Sequence, residues 1–269
     1  MQMFMSISVG RQKLAACLHR PEPQRSTVAA PVVICCHGLT GSRVGACFRM
    51  VTLGRRLADE NIACLRFDFR GCAESDGRFE DMSVPTLMED LHAVVAAVDR
   101  LPGCDPTRIG IVGSSFGALT ASQVACDIGA LRCLVFWAPV AEMRSLINGE
   151  MTDAAWAFLR EHGWIEHHGL RLGAGFFDRI PEVEAPARLA EAGQPLLIFH
   201  GTGDAQVPID HGRAYEAALV KAGVEVRFEA IAADDHAMRS LAANETIIDG
   251  TVAWFRRFLH PEVLPDSTS

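Results

Sequence analysis

Residues 108–121 read RIGIVGSSFGALTA. The apolar residues up to Val112 predict a buried strand, and the small residues that follow Gly117 predict a helix. A strand, then Gly-x-Ser-x-Gly, then a helix is the setting of a nucleophile elbow, in which a strained turn exposes one serine above a sheet. The stretch therefore predicts a strand–turn–helix unit of a parallel sheet, with a candidate reactive serine in the turn.

Two adjacent serines compete for that position. Ser115 has Gly113 and Gly117 two residues away on either side, whereas Ser114 has no such pair. Side chains at the flanking positions would collide with the neighbouring strand and helix, so the glycines favour Ser115. The alternative is an ordinary glycine-rich turn, or a phosphate cradle at a helix N-terminus.

The rest of the chain alternates strand and helix patterns. Residues 3–9 and 13–19 surround Gly10 and predict an antiparallel hairpin at a sheet edge. Buried strands are then predicted at 31–36, 62–68, 108–113, 131–139, 195–201 and 224–230, with helices between them. We expect an α/β-hydrolase-like architecture: a mostly parallel eight-stranded sheet with helices on both faces. The tail after Pro261 has no pattern and is expected to fray.

The alternation breaks down between residues 140 and 193. This segment has amphipathic fragments, and a structureless connection of that length is implausible in a compact domain. We expect a core formed by 1–139 and 194–269, with 140–193 inserted as a helical lid. Aromatic side chains of the lid are candidates for lining a substrate pocket, although each could instead belong to the lid's own small core; they are Trp156, Trp164, Phe176 and Phe177.

Composition bounds the class of protein. The 269 residues are 49% hydrophobic and 22% charged, which is typical of a globular protein, and every apolar run is too short to span a bilayer. The net charge is −8, with no dense block of lysine and arginine, which argues against a nucleic acid partner. The expected partner is a small-molecule substrate, and a homodimer is compatible with the sequence.

Cysteine usage and the N-terminus suggest the compartment. The chain has nine cysteines, mostly within apolar stretches, and the adjacent pair Cys35 and Cys36 would point to opposite faces of a strand. No CxxC motif occurs, so we expect reduced core cysteines, no metal and no cofactor. The first residues show no basic leader followed by an apolar segment, so we expect a cytoplasmic protein.

A reactive serine needs a base and an acid. In open α/β sheets functional groups lie beyond the carboxyl ends of strands, and two loops there carry suitable residues. Asp204 follows the strand 195–201, and His236 precedes the last helix. The chain order Ser115, Asp204, His236 is the order expected for this architecture, so the three are predicted to form a catalytic triad.

Other residues compete for these roles. Asp204 could merely cap a turn, and Asp210 is a second candidate acid, although it is predicted to lie inside a helix. His200 ends a strand and His211 is predicted to be helical, so both are weaker candidates for the base. Asp234 and Asp235 precede His236 directly, but sequence neighbours rarely orient a carboxylate toward the imidazole Nδ1.

The loop HGLTGS at 37–42 is the candidate for stabilising an oxyanion. In an elbow of this type one donor is the backbone N–H after the nucleophile, here Phe116. The second donor comes from the loop after the third strand, where Gly38 and Gly41 let the backbone bend toward the site, and we expect it to be the Leu39 N–H. The alternative is that HGLTG is only a tight turn.

Five motifs carry a resemblance. The chain is similar to the α/β-hydrolase superfamily, and in particular to its cinnamoyl/feruloyl esterase-like group, from about residue 32 to 258 with most of 140–193 excluded. The motifs are HGLTGS at 37–42, LRFDFRGCAESDGRFEDMS at 65–83, GIVGSSFGAL at 110–119, LIFHGTGDAQVP at 197–208 and DDHAMRS at 234–240.

The resemblance implies a serine hydrolase that cleaves esters, or thioesters, of small to medium acyl groups. Ser115 would be the nucleophile, His236 the general base and Asp204 the residue that orients it, while Arg66, Asp68 and Arg70 would form scaffold ion pairs. Members of the group commonly have His before the nucleophile and Gln-Gly-Gly after it, whereas Ser114 and Phe116 stand here. Phe116 is therefore expected to crowd the acyl side of the pocket.

Two other classes remain open. A peptidase or amidase could use the same three residues, and it would need a site for the substrate's charged terminus, such as Glu150 or Glu166. A non-catalytic binding protein on the same scaffold would normally lack one of the three residues. The histidines His162, His167 and His168 are expected on the surface of the lid.

Overall fold

The computed structural model describes residues 1–22, 28–178, 184–232 and 234–260. Eight strands form one sheet in the spatial order β1-β2-β4-β3-β5-β6-β9-β10, and two more form a separate hairpin. The strands are β1 (Gln2–Val9), β2 (Gln12–His19), β3 (Ala30–Cys36), β4 (Ala63–Phe67), β5 (Cys104–Ser114), β6 (Leu131–Trp137), β7 (Trp164–His167), β8 (Leu170–Gly173), β9 (Leu196–Gly201) and β10 (Val226–Ile231). The predicted tail after Pro261 lies outside the described residues.

Strand pairing confirms the predicted sheet. β1 pairs with β2 and β2 with β4 in antiparallel orientation, and all other neighbours in the large sheet are parallel. Gly10 has a positive φ of 59° at the turn between β1 and β2, a conformation that glycine adopts without steric cost. The carboxyl ends of the parallel strands meet at one edge, where the site is expected.

Helices follow most strands. They are α1 (Arg49–Asp59), α2 (Val84–Ala97), α3 (Phe116–Val124), α4 (Met143–Glu150), α5 (Asp153–His162), α6 (Ala174–Asp178), α7 (Ala185–Ala192), α8 (Asp210–Lys221) and α9 (Leu241–Leu259). The start of α2 shows why the chain turns helical there: the Ser83 N–H donates to Thr86 Oγ1 over 2.9 Å, and a proline occupies the first turn. Within the described ranges, no helix is both long and apolar enough to cross a membrane.

Two apolar cores cover the two faces of the large sheet. Alternate residues of β3 divide between them, so Val33 and Cys35 belong to the core that includes α1 and α9, whereas Ile34 and Cys36 belong to the core that includes α2, α3 and α8. The predicted opposite orientation of Cys35 and Cys36 is therefore confirmed. All nine cysteines are free thiols, and seven of them are buried.

The segment 140–193 contains more than helices. It holds α4 to α7 and the hairpin of β7 and β8, which the sequence analysis did not predict. The hairpin turns at His168 and Gly169, with φ of 50° and 81°, and its strands have only four residues each. Gly173 lies so close to Glu80 that an added Cβ would come 2.1 Å from the Glu80 carbonyl oxygen. The hairpin therefore packs directly against the backbone of the short helical turn at Phe79–Asp81.

Helix α7 packs into the larger of the two apolar cores. Leu189 of α7 is fully buried in the same cluster as Leu119 of α3 and Leu219 of α8. Residues 179–183, between α6 and α7, lie outside the described part of the chain. The division into a core and a lid at 140–193 stays a prediction.

The close approach at Gly117 gives a test of the fold around the elbow. An added Cβ at Gly117 would come 2.3 Å from the Cys36 carbonyl oxygen, so we expect Gly117→Ala to lower the free energy of unfolding by about 1–3 kcal/mol, despite the better helix propensity of alanine. Gly149 in α4 is the matched control, because its Cβ would meet nothing within 4 Å. Gly149→Ala should raise stability by about 0.5–1 kcal/mol. Urea denaturation measures both, and equal effects would contradict the close approach.

Candidate active site

The turn between β5 and α3 has the strained geometry predicted for an elbow. Ser115 has φ of 52° and ψ of −115°, which is rare for a residue with a side chain. An added Cβ at Gly113 would lie 2.5 Å from the Ala118 Cα, and one at Gly117 would strike β3. Both glycines therefore meet the steric requirement that favoured Ser115 over Ser114.

Backbone hydrogen bonds hold the turn. The Ser115 N–H donates to the Trp137 carbonyl over 2.8 Å, and the Ala118 N–H donates to the Ser115 carbonyl over 3.1 Å. Both backbone groups of Ser115 are thus hydrogen-bonded within the protein, and the residue lines a cavity. The strain is thus maintained by the strand β6 on one side and the helix α3 on the other.

His236 connects Ser115 to Asp204. Its Nε2 lies 3.0 Å from Ser115 Oγ and its Nδ1 lies 2.6 Å from Asp204 Oδ2. The network assigns the tautomer, since only an Nδ1–H can donate to the carboxylate and leave Nε2 to accept from the serine hydroxyl. The three side chains form one continuous hydrogen-bonded chain, from three loops at the carboxyl ends of β5, β9 and β10.

Asp204 is held in its ionised form. Its Oδ1 accepts hydrogen bonds from the N–H groups of Gln206 and Val207, over 3.0 and 2.9 Å. Burial alone would raise the pKa of Asp204, but the hydrogen bonds from His200, His236 and the Val207 N–H outweigh burial and hold the pKa well below its ordinary value. The carboxylate therefore stays charged beside His236 throughout the neutral range.

The competing histidines are engaged elsewhere. His200 is fully buried, with Nε2 donating to the Val207 carbonyl over 2.8 Å and lying 3.3 Å from Asp204 Oδ2. His211 lies in α8, where its Nδ1 accepts from the N–H groups of Ala141 and Glu142. His200 thus lies beside the Asp204 carboxylate, and His211 binds the backbone N–H groups at the start of the segment after β6.

The competing carboxylates also have other partners. Asp234 Oδ2 accepts from the Ser240 hydroxyl over 2.6 Å, and Asp235 Oδ1 accepts from the Ala237 N–H over 3.0 Å. Asp210 is in the first turn of α8, as expected from the sequence. Of these candidates, only Asp204 is hydrogen-bonded to His236.

The loop at 37–41 is bent toward Ser115. An added Cβ at Gly38 would lie 3.1 Å from Ser115 Cβ, so only glycine fits there without displacement. The Gly41 N–H donates to the Gly38 carbonyl over 3.0 Å, which closes the turn. Leu39 and Phe116, the two predicted oxyanion donors, both line the cavity in front of Ser115.

His37 anchors this loop, a role that the sequence analysis missed. Its Nδ1–H donates to the Gly38 carbonyl over 2.8 Å, and its Nε2 accepts from the Phe69 N–H over 3.0 Å. Burial disfavours the charged imidazole and lowers the pKa of His37. Its position before Gly38 in the motif was visible in the sequence, but its partner on the loop after β4 was not.

A cavity of about 990 Å³ opens in front of Ser115 and His236. Its far wall is apolar and comes mostly from the segment after β6: Val140, Met143, Leu146, Ile147, Met151, Ile165, Leu172, Phe176 and Phe177. Phe116 also lines it and packs against Phe176, with ring centroids 5.3 Å apart.

The four aromatic residues predicted to line a pocket divide into two pairs. Phe176 and Phe177 line the cavity, whereas Trp156 packs against Phe177 with ring centroids 5.6 Å apart and is absent from the lining. Trp164 packs against Phe158, at 5.3 Å, and under the Arg171 guanidinium. Trp156 therefore supports a wall residue, Phe177, from behind.

Histidines and arginines add polar groups to the cavity. His167 and His168, expected on the lid surface, lie at its lining, while His162 stacks on Phe158 with ring centroids 4.0 Å apart. Arg49 and Arg239 also line the cavity; Arg239 lies in the motif at 234–240, but neither arginine was assigned a role from the sequence.

Scaffold ion pairs occur beside the site as expected for two of the three residues. Asp68 pairs with Arg43, and Arg70 pairs with Asp90 and, over 2.7 Å, with Glu89. Arg66 instead donates to His19 Nε2 over 3.0 Å. These contacts stabilise the loop after β4, and the pair of Asp68 and Arg43 joins that loop to the loop after β3.

Comparisons with known proteins agree with this geometry. The sheet order, the elbow and the loop positions of the candidate residues define an α/β-hydrolase fold. Residues 54–262, more than half of the chain, match the model of the prolyl oligopeptidase family. The chain therefore belongs to the prolyl oligopeptidase family, within the superfamily that the motifs resembled.

Solved structures share the fold over nearly the whole chain. Est1E from Butyrivibrio proteoclasticus, bound to ferulic acid, superposes with a TM-score of 0.81 at 21% identity, covering 95% of this chain and 99% of Est1E. A putative hydrolase from Agrobacterium vitis superposes with a TM-score of 0.75 at 20% identity, covering 95% and 98% of the two chains. At these identities the likeness concerns the fold.

Curated relatives match only in part. The quorum-quenching protein AidA of Acinetobacter baumannii is 30% identical over 131 residues, 48% of this chain and 41% of AidA. The acylamino-acid-releasing enzyme of Arabidopsis thaliana is 26% identical over 175 residues, 63% of this chain and 23% of that enzyme. The matched part thus spans less than half the length of these relatives.

Acidification tests the role of His37. The unfolded chain takes up a proton on this imidazole near pH ~6.5, whereas the folded chain resists protonation, so stability conferred above that pH is lost as the pH falls. We expect the free energy of unfolding to drop between about pH 7.5 and about pH 5, and to drop less in His37→Asn. Urea denaturation at both pH values, with His162→Asn as an exposed-histidine control, measures this. If the free energy of unfolding changed equally between the two pH values in wild type and His37→Asn, this role of His37 would be refuted.

Proposed function

We propose that the protein is a serine hydrolase that cleaves carboxylic esters, or thioesters, of small to medium acyl groups. The observation that carries the proposal is the continuous hydrogen-bonded chain from Asp204 through His236 to Ser115 Oγ. Ser115 is the nucleophile, His236 the general base and Asp204 the carboxylate that orients the imidazole and stabilises its charged form.

The reaction begins with proton transfer from Ser115 Oγ to His236 Nε2 as the oxygen attacks the substrate carbonyl. The oxyanion that forms accepts hydrogen bonds from the N–H groups of Leu39 and Phe116. Support for this pair comes from Gly38, which brings its loop against Ser115, and from the position of Phe116 as the first residue of α3, where helix N–H groups lack intrahelical partners.

Collapse of the tetrahedral intermediate breaks the ester bond. The leaving alcohol takes the proton from His236, and the acyl group remains on Ser115. Water then donates a proton to the same imidazole and attacks the acyl-enzyme, which releases the acid and restores the serine. The ionised Asp204 supports the imidazolium in both halves of the cycle.

The cavity favours a substrate with an apolar part. Its far wall consists of aliphatic, methionine and phenylalanine side chains, which would bury an acyl or aryl group. We assign 140–193 as the cap that supplies this wall, with Phe176 and Phe177 as substrate-contacting residues. The crowding by Phe116 and Phe176 is a reason not to extend the binding of ferulic acid from Est1E to this chain.

A peptidase or amidase on the same three residues is the second candidate. The family match and the likeness to the acylamino-acid-releasing enzyme favour it. Against it, the one carboxylate among the described lining residues is Asp235, and Glu166 accepts a hydrogen bond from the Gly169 N–H within the hairpin turn. The Glu150 side chain lies outside the part of the protein that the structure describes. For the charged amino terminus of a peptide substrate, the described lining residues thus offer a single carboxylate, Asp235, which favours esters as substrates.

Replacement of the nucleophile is the first test. Ser115→Ala removes the attacking oxygen, so turnover of a short p-nitrophenyl ester should fall by at least about 10³-fold, and Asp204→Asn should reduce kcat by about 10⁴-fold through loss of the correct tautomer. Ser114→Ala, which changes the neighbouring hydroxyl, should keep most activity. Retained activity in Ser115→Ala, or failure of a fluorophosphonate probe to label wild-type Ser115, would instead favour a non-catalytic binding protein.

Paired substrates decide between the two candidate reactions. An acyl p-nitrophenyl ester and the matching aminoacyl p-nitroanilide present the same chromogenic leaving-group ring with different bonds. We expect kcat/KM for the ester to exceed that for the anilide by more than about 10²-fold, because Asp235, the one carboxylate among the described lining residues, already accepts a hydrogen bond from the Ala237 N–H. An anilide rate equal to or above the ester rate would favour the peptidase.

A further inference from the structure

The His236 loop is tied to the rest of the site by one buried arginine. We infer that Arg49 is a positioning residue, which holds the loop 236–238 in hydrogen-bonding register with Ser115. The inference rests on the proposed function, because it concerns how the proposed base is held in place. Arg49 is the first residue of α1 and is 4% exposed.

The guanidinium of Arg49 binds the two residues that follow His236. Its Nη2 donates to the Ala237 carbonyl over 2.8 Å and to the Met238 carbonyl over 2.6 Å. Its Nε donates to Asn244 Oδ1 in α9 over 2.7 Å. One planar group therefore joins α1, the loop after β10 and the first part of α9.

The same guanidinium also contacts the side of the site that holds the nucleophile. It lies 5.5 Å from the centre of the Trp137 ring, within the range of a cation–π interaction. The Trp137 carbonyl accepts the Ser115 N–H, and its indole N–H donates to Thr251 Oγ1 over 3.2 Å. Arg49 thus contacts elements that position both His236 and Ser115.

The loop needs such a restraint because its backbone is strained. Met238 has a φ of 47°, an uncommon conformation for a residue with a long side chain, and it is 1% exposed. Its N–H donates to the Asp235 carbonyl over 3.0 Å, and its carbonyl is bound by Arg49. The carbonyl of the strained residue therefore depends on Arg49 for this hydrogen bond.

The chemistry of this contact requires arginine. Every described acceptor of Arg49 is an uncharged carbonyl or amide oxygen, so the interaction depends on several donors fixed in one plane rather than on an ion pair. A lysine ammonium on a flexible stem could not reach all three acceptors together. Burying an arginine without a bonded carboxylate is costly, and such a cost is typical of groups kept for a functional site.

Steady-state kinetics of Arg49→Lys and Arg49→Ala test the inference. A displaced imidazole should lower kcat for a short p-nitrophenyl ester by about 10²-fold while KM changes by less than about 3-fold, because Arg49, although it borders the cavity, directs its described hydrogen bonds to the His236 loop and α9. Arg56→Ala is the matched control, since Arg56 lies on the same helix and pairs with Asp249 of α9 over 2.8 Å, away from the site. It should keep the wild-type kcat.

Guanidinium rescue separates positioning from general destabilisation. Millimolar guanidinium chloride, far below denaturing concentrations, should restore part of the kcat of Arg49→Ala and leave Arg56→Ala and Ser115→Ala unchanged. A folded Arg49→Ala or Arg49→Lys with wild-type kcat would overturn the inference. A loss of kcat in Arg49→Ala that guanidinium does not restore would also overturn it.

Amide hydrogen exchange keeps the inference independent of the proposed reaction. Exchange of residues 234–240 should be faster in Arg49→Ala than in Arg56→Ala or wild type, whether or not any ester is cleaved. Unchanged exchange would refute the restraint itself. Absence of wild-type turnover and of fluorophosphonate labelling, together with faster exchange in Arg49→Ala, would refute the proposed function and leave the restraint of the loop standing.

Discussion

The site depends on one constraint: the backbone of Ser115 must hold a positive φ between a strand and a helix that touch. Gly117 lies against the Cys36 carbonyl and Gly113 against Ala118, at distances that admit no side chain. The contact between β3, β5 and α3 therefore sets the position of the serine, and the surrounding core maintains a conformation that the residue alone would avoid. Everything else in the site is arranged around that position.

Local patterns were sufficient to predict the sheet and the three candidate residues. Glycine spacing selected Ser115, and the loops after two buried strands selected Asp204 and His236, because the ends of parallel strands meet at one edge. The three side chains do lie within hydrogen-bonding distance, while their catalytic roles stay a prediction. The mostly parallel sheet with two covered faces is confirmed. It was predictable because consecutive apolar residues such as Cys35 and Cys36 point to opposite faces of a strand, so both faces must be covered.

Features set by long-range contacts were not predictable. The hairpin of β7 and β8 has strands of four residues, too short for a periodic signal, and it is held by the approach of Gly173 to Glu80. Phe177 and Trp156 could not be told apart from sequence, because which of two packed aromatic rings faces the cavity depends on how the segment docks. Arg49 and His37 gave no signal of their roles, since their partners lie on other loops.

The groups of the site come from distant parts of the chain. Ser115 and His236 are 121 residues apart, and Arg49 and Met238 are 189 residues apart. Closing such long loops costs chain entropy before any of these contacts forms, so no early, locally folded fragment can contain the assembled site. During refolding, enzymatic activity would accordingly appear only after the whole sheet has formed, which makes it a reporter of the last step of folding rather than of collapse.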